Sequence, residues 1–163
     1  MDSVRSLPQV SVTATGPAVA RDWPSLPWSS RVAAIVLVSP VLDWTEVIKA
    51  NCVHSGLPAA AGHLAIPWLT VTPLARAVGL PGHIPVRSFD WTARSADLTT
   101  PTLILHGTRD GSVPIQLSQA LRHARPGLVE LESFDAGHTL CWNSDPDRGQ
   151  EAVTTWLQAR VPR

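Results

Sequence analysis

Apolar residues in this chain collect into a few short runs separated by segments with helical spacing. Residues 32 to 38 read VAAIVLV and are closed by Ser39-Pro40. A run without alternation suits a strand buried on both faces, as in a parallel sheet covered by helices. Leu103-Ile-Leu105 within PTLILHG is a second such run, and LVELESF, residues 128 to 134, is a third and more amphipathic one. Upstream, residues 9 to 15 (QVSVTAT) alternate as a half-buried strand does until Gly16-Pro17 ends the pattern.

Between and after these runs the spacing becomes helical. A helix is predicted over Pro114 to Arg125, with Pro114 near its first turn and Ile115, Leu117 and Leu121 on an apolar side. Another is predicted over Asp145 to Leu157: Asp145 is the N-cap, Pro146 takes the first position, and Val153, Trp156 and Leu157 share one face. Strand, helix, strand, helix with short links is the grammar of a parallel sheet. The exception is residues 43 to 100, which hold helical patterns over Thr45 to Ser55 and Gly62 to Val78 and then the link GLPGHIP. A structureless link of that length does not suit a compact domain, so the segment is predicted to fold as a cap.

The expected fold class is therefore α/β. It is a partial, doubly wound, mostly parallel sheet of about three or four strands with flanking helices and a helical cap insertion over residues 45–90. Residues 1–30, with Pro8, Pro17, Pro24 and Pro27, read as an irregular or degenerate segment, and residues 31–163 as the domain proper.

Composition narrows the partners. Of 163 residues 44 % are hydrophobic, which fits one ordinary domain with a real core or a large piece of a bigger one. Thirteen basic residues balance thirteen acidic ones and neither sign is concentrated, which argues against nucleic acid or an anionic membrane surface as the main partner and for a small molecule or a neutral surface. Strand 32–38, if it lies at or next to a sheet edge, offers a route to self-association. Cys52 and Cys141 match no CxxC spacing and read as structural thiols of a reduced compartment. MDSVRSLPQV lacks the features of a secretory signal, and no apolar run reaches the ~18 residues of a membrane span, so a cytoplasmic location is expected.

Two residues carry the candidate chemistry. Asp110, in HGTRDGSVP, follows the second apolar run, and His138, in FDAGH, follows the third, 28 residues later. Loops after the carboxyl ends of adjacent parallel strands converge on one crevice. There a carboxylate can fix the tautomer of a histidine and stabilise its imidazolium, making the histidine a general base. Asp110 also reads as a turn residue, since Arg-Asp-Gly is good turn chemistry, and His138 as a strand-end histidine bonded to backbone. His106 is read as a structural hydrogen-bonder and Ser39 as a strand-exit serine. Arg109, Asp145 and Arg148 read as surface charges or caps. Trp44, Trp68 and Trp91 either line a pocket or fill core. His106, Asp110, Asp135 and His138 have donor types that suit a metal, yet no HxxxH or HExxH supports one, so no metal or cofactor is expected.

The stretches VAAIVLVSPVLDW (32 to 44), PTLILHGTRDGSVP (101 to 114) and VELESFDAGHTLCWNSDP (129 to 146) resemble the C-terminal half of an α/β-hydrolase, in particular bacterial carboxylesterases and monoacylglycerol-lipase-like hydrolases. The resemblance covers about residues 31 to 160 and follows the family's chain order of nucleophile, acid, base. It implies that Asp110 is the triad acid and His138 the base, that residues 45 to 90 form the cap, and that any substrate is a small ester or acyl compound. One element departs. No G-x-S-x-G occurs in the chain, and the family's spacing points near residues 5 to 15, where VSVTATGPAVA stands. Taking Gly16 as the motif's last glycine puts Ala14 at the nucleophile position with Thr13 and Thr15 beside it, and alanine cannot attack a carbonyl. The resemblance thus implies a hydrolase lineage with a truncated or inactive centre. The alternatives are a non-catalytic interaction half-domain or a gene fragment.

Overall fold

The computed structural model describes residues 9–12, 32–138 and 144–160. Four strands, β1 (Gln9–Val12), β2 (Val32–Val38), β3 (Thr102–Gly107) and β4 (Val129–Phe134), form one sheet in that spatial order, and all three pairings are parallel. The alternating stretch at residues 9 to 12 is thus a strand, and β2 lies one strand in from it; Thr13 to Thr15 fall outside the described residues. Among the described residues five α-helices accompany the sheet: α1 (Trp44–His54), α2 (Ala60–Thr70), α3 (Thr72–Ala77), α4 (Ile115–Ala124) and α5 (Pro146–Arg160).

β3 is buried along its whole length and explains the layering. Side chains of a strand alternate between faces. Leu103 and Leu105 pack on one face with Ala34, Val36, Phe134 and Trp156 of α5. Ile104 packs on the other with Ile35, Trp91, Leu98 and Leu121 of α4. Both faces are apolar because both are covered, as the unbroken run in the sequence requires. Trp91 is therefore a core residue, whereas Trp68 stands largely exposed on α2.

Caps fall where the side chains allow them. Asp43 Oδ1 accepts from the amides of Thr45 and Glu46 at the start of α1 (2.7 and 3.3 Å), and Asp145 Oδ1 accepts from the Arg148 amide before α5 (3.1 Å). Arg148 binds Glu132 of β4 at 2.6 Å and lies over the Phe134 ring, and Arg160 pairs with Glu130, so α5 is tied to β4 along its length.

The helical pattern over Gly62 to Val78 is two helices rather than one. Pro73 has no amide to donate back to Leu69, so the chain breaks at Val71, whose backbone is extended (φ −102, ψ 116). The Leu69 carbonyl accepts instead from Ile84 at 2.7 Å, which folds the GLPGHIP link back along α2. α1 and α2 approach closely at Gly62, where a Cβ would stand 2.9 Å from Lys49 Cα. Two 3₁₀ turns, Val86–Phe89 and Ser95–Asp97, lead on to β3.

The sheet's carboxyl end is shaped by one glycine. A Cβ on Gly107, the last residue of β3, would lie 2.3 Å from the Ala136 carbonyl oxygen and 2.5 Å from that of Gly137. Both are backbone atoms of the segment leading to His138, so neither can yield cheaply. Gly107→Ala is expected to lower the unfolding free energy by about 1–3 kcal/mol, read by urea denaturation. An unchanged midpoint would show that the two loops are not packed this closely.

Candidate functional site

Asp110 and His138 are separated by 28 positions in sequence and meet because β3 and β4 are parallel neighbours. The register pairs His106 with Ser133 and Gly107 with Phe134, so both strands leave the sheet at the same level. The loops after them are then stitched together: Thr108 and Arg109 amides donate to the Phe134 and Ala136 carbonyls at 2.7 and 3.0 Å. Arg109 holds the outer side of the second loop, reaching the Asp135 carboxylate and carbonyl at 2.9 Å each. Asp135 is thereby turned to Arg109 on the surface, away from any set with His106 and Asp110.

The Asp110 side chain is fully buried, and its two oxygens take different partners. Oδ1 accepts from the amides of Ser112 and Val113 at 2.9 and 2.8 Å, which builds the turn. Oδ2 lies 2.9 Å from His138 Nδ1. The turn reading and the acid-to-histidine reading of Asp110 thus describe one residue, with one oxygen serving each. Burial pushes the Asp110 carboxyl up. The Val113 amide, the His138 ring and the Ser112 amide outweigh it, and the carboxyl settles below its ordinary value and is ionised at neutral pH.

A carboxylate only accepts, so Nδ1 of His138 must donate. In the neutral ring Nε2 then holds the lone pair, available to take a proton. His138 keeps 39 % of its side chain exposed, whereas Asp110 is sealed beneath it. This is the arrangement of an orienting acid and a reachable base.

Three further residues shape the site. His106 is fully buried under Asp110: Nε2 is 3.0 Å from the Val113 carbonyl and 3.4 Å from Asp110 Oδ2, and Nδ1 is 2.8 Å from Ser118 Oγ of α4. Burial lowers the pKa of His106, only partly opposed by the Val113 carbonyl and the Asp110 charge, so the ring is neutral. Asn51 of α1 donates to the Ser112 carbonyl at 2.7 Å and joins the helical insertion to the acid turn. Sequence reading passed over Ser118 and Asn51. The available signal was a polar residue on a buried helical stripe, Ser118 beside Leu117 and Leu121, and Asn51 four residues after Val47.

Ser39 ends β2 with its amide on the Leu105 carbonyl at 2.9 Å. It is buried and, at φ 43, is the non-glycine residue in the left-handed region among the described residues. That conformation costs roughly 1–2 kcal/mol and turns the chain off the sheet toward α1. Beside the acid turn, an open cleft of about 480 Å³ lies between α1 (Lys49, Ala50, Val53, His54) and Gly111 and Pro114. Cys52 is a free thiol. Thr13, Ala14, Thr15 and Cys141 fall outside the described residues.

The His106 shift sets a pH dependence. As pH falls through the ordinary histidine value of 6.5 the unfolded chain binds a proton there, while folded His106 stays neutral to a lower pH. The unfolded state binds more protons in that window, so stability falls on acidification below 6.5. Asp110 adds loss of the same sign below 3.8. Urea midpoints taken at about pH 7.5 and 5.5 are expected to drop on acidification, and to drop less in His106→Gln. Equal drops in the two proteins would contradict the assignment.

No protein-family model matches the chain. No curated protein matches it either. Solved structures do. An esterase of Pyrococcus furiosus superposes with a TM-score of 0.56 at 15 % identity, over 88 % of this chain and 50 % of that one. The esterase domain of a Rhodothermus marinus protein gives 0.55 at 19 % identity, over 89 % and 56 %. A monoacylglycerol lipase of Paleococcus ferrophilus gives 0.51 at 18 % identity, over 91 % and 66 %. The chain spans about half the length of the first of these. At such identities the likeness is one of fold: the parallel sheet and its flanking helices have the α/β-hydrolase fold, over about half the length of the first of these structures.

Proposed function

We propose that this chain carries the acid and base of a carboxylic ester hydrolase centre, Asp110 orienting His138. The observation that carries the reading is the 2.9 Å contact between His138 Nδ1 and a fully buried, ionised carboxylate at the carboxyl ends of adjacent parallel strands. Nε2 of His138 takes the proton of an attacking hydroxyl as its oxygen bonds to the ester carbonyl carbon. The same nitrogen returns the proton to the leaving alkoxide, and Asp110 stabilises the imidazolium between the two steps. The helical insertion over residues 45–90 acts as a cap, and the cleft between α1 and Gly111 takes part of the substrate. In the absence of a G-x-S-x-G serine the attacking hydroxyl available to this chain is water, and turnover is slow.

A second reading, a non-catalytic module that pairs with another copy of itself, draws on the insertion's surface. Leu57, Leu64, Trp68, Val71 and Val78 are all exposed there, Leu64 at 73 %. Apolar side chains gathered on one segment mark contact surfaces more often than scattered ones do.

The purified chain is assayed on p-nitrophenyl butyrate and with a fluorophosphonate probe. Slow hydrolysis is expected, lowered at least ~10-fold by His138→Ala and by a smaller factor by Asp110→Asn, with no probe adduct. Hydrolysis indifferent to His138→Ala would sink the catalytic reading. A probe adduct at any Ser or Thr that needs His138 would overturn water as the attacking group. Sedimentation velocity decides the second reading: a concentration-independent monomer excludes it.

A further inference from the structure

His106 is not needed to fill space. Within β3 it follows the buried Ile104 and Leu105, and an aliphatic side chain would serve that volume without two buried polar atoms. Both ring nitrogens nevertheless have partners, Val113 O at 3.0 Å and Ser118 Oγ at 2.8 Å. Ser118 in turn is a fully buried polar residue on the apolar side of α4, and its hydroxyl meets the same ring.

The direction of these bonds is settled by chemistry. The Val113 carbonyl only accepts, so Nε2 of His106 carries the proton. The neutral ring then has its lone pair on Nδ1, which accepts from the Ser118 hydroxyl. A single order results, with Ser118 donating to His106 and His106 donating to Val113. Val113 is gripped at both ends, because its own amide donates to Asp110 Oδ1 at 2.8 Å. Nε2 of His106 also lies 3.4 Å from Asp110 Oδ2, the oxygen that faces His138.

We propose that His106, with its tautomer set by the Val113 carbonyl and its ring anchored by Ser118, is a positioning residue for the acid: it clamps the 110–113 turn from below so that Asp110 Oδ2 stays aimed at His138 Nδ1. The inference rests on reading Asp110 and His138 as an acid–base pair, and it deepens that reading by assigning the device that aims the acid. It requires His106 to be a donor at one particular ring position, which a space-filling role does not.

The test reads tautomers rather than turnover, so it stands whether or not the chain hydrolyses esters. Long-range proton–nitrogen correlation spectra of the 15N-labelled chain, recorded above the titration of histidine, report which nitrogen of each ring is protonated. Wild type is expected to show Nε2–H at His106, the form free histidine prefers, and Nδ1–H at His138, the reverse of it. His106→Gln puts an amide nitrogen near the Nε2 position and is expected to keep Nδ1–H at His138. His106→Asn reaches only the Nδ1 position, and His106→Leu supplies no donor. In both, His138 is expected to lose its pure Nδ1–H form and the Ser112 and Val113 amide resonances to shift.

Ser118→Ala keeps the ring and the tautomer set by Val113 but removes the hydroxyl that anchors Nδ1, and is expected to shift the same amides; it serves as the readout if His106→Leu fails to fold. A folded His106→Leu, or Ser118→Ala, whose His138 tautomer and turn amides match wild type would overturn the proposal. So would Nδ1–H at His106 in the wild type. Loss of ester hydrolysis with intact tautomers would instead count against the catalytic reading alone.

Discussion

One buried carboxylate organises the carboxyl end of this sheet. Asp110 divides its oxygens between making its own loop and orienting a histidine on the next, so the geometry of the turn and that of the base cannot vary independently. A charge sealed from water is costly unless it is hydrogen-bonded on every side. Two backbone amides and the His138 ring meet that requirement, which is also why the carboxyl remains ionised despite its burial. Of the two side chains, His138 is the one that keeps solvent exposure.

The carboxylate can be held this way only because the backbone around it approaches unusually closely. Gly107 lets the 136–137 segment pass within a distance that any side chain would forbid. The amides of Thr108 and Arg109 then lock that segment to the acid loop. From the opposite side, α1 reaches the turn through Asn51, and the His54 ring lies against Gly111. The acid turn is thus braced by the sheet below it and by the helical insertion beside it, and a displacement of α1 would be felt at Asp110.

The fold's outline was legible in the chain. The apolar run at 32 to 38 coincides with β2, and helices expected at Thr45 to Ser55, Pro114 to Arg125 and Asp145 to Leu157 stand within a few residues of α1, α4 and α5. These are the places where periodicity, capping and burial agree. The pattern misleads where a local rule acts against it. The apolar spacing from Gly62 to Val78 is continuous, but Pro73 removes the donor that continuity would need, and only the fold shows Ile84 taking its place at Leu69.

The same division holds at the site. Residue type and position in sequence determined that an acid and a histidine follow successive strands, and therefore which two side chains to consider together. They also determined that the chain has no G-x-S-x-G. Tertiary structure alone decided which oxygen of Asp110 faces His138, that His106 and Ser118 lie beneath it, and that Asn51 reaches the turn from α1. Those facts depend on strand register, helix packing and a close backbone approach at Gly107. Each is a distance between residues far apart in the chain, and spacing along a sequence carries no information about such distances until the chain has folded.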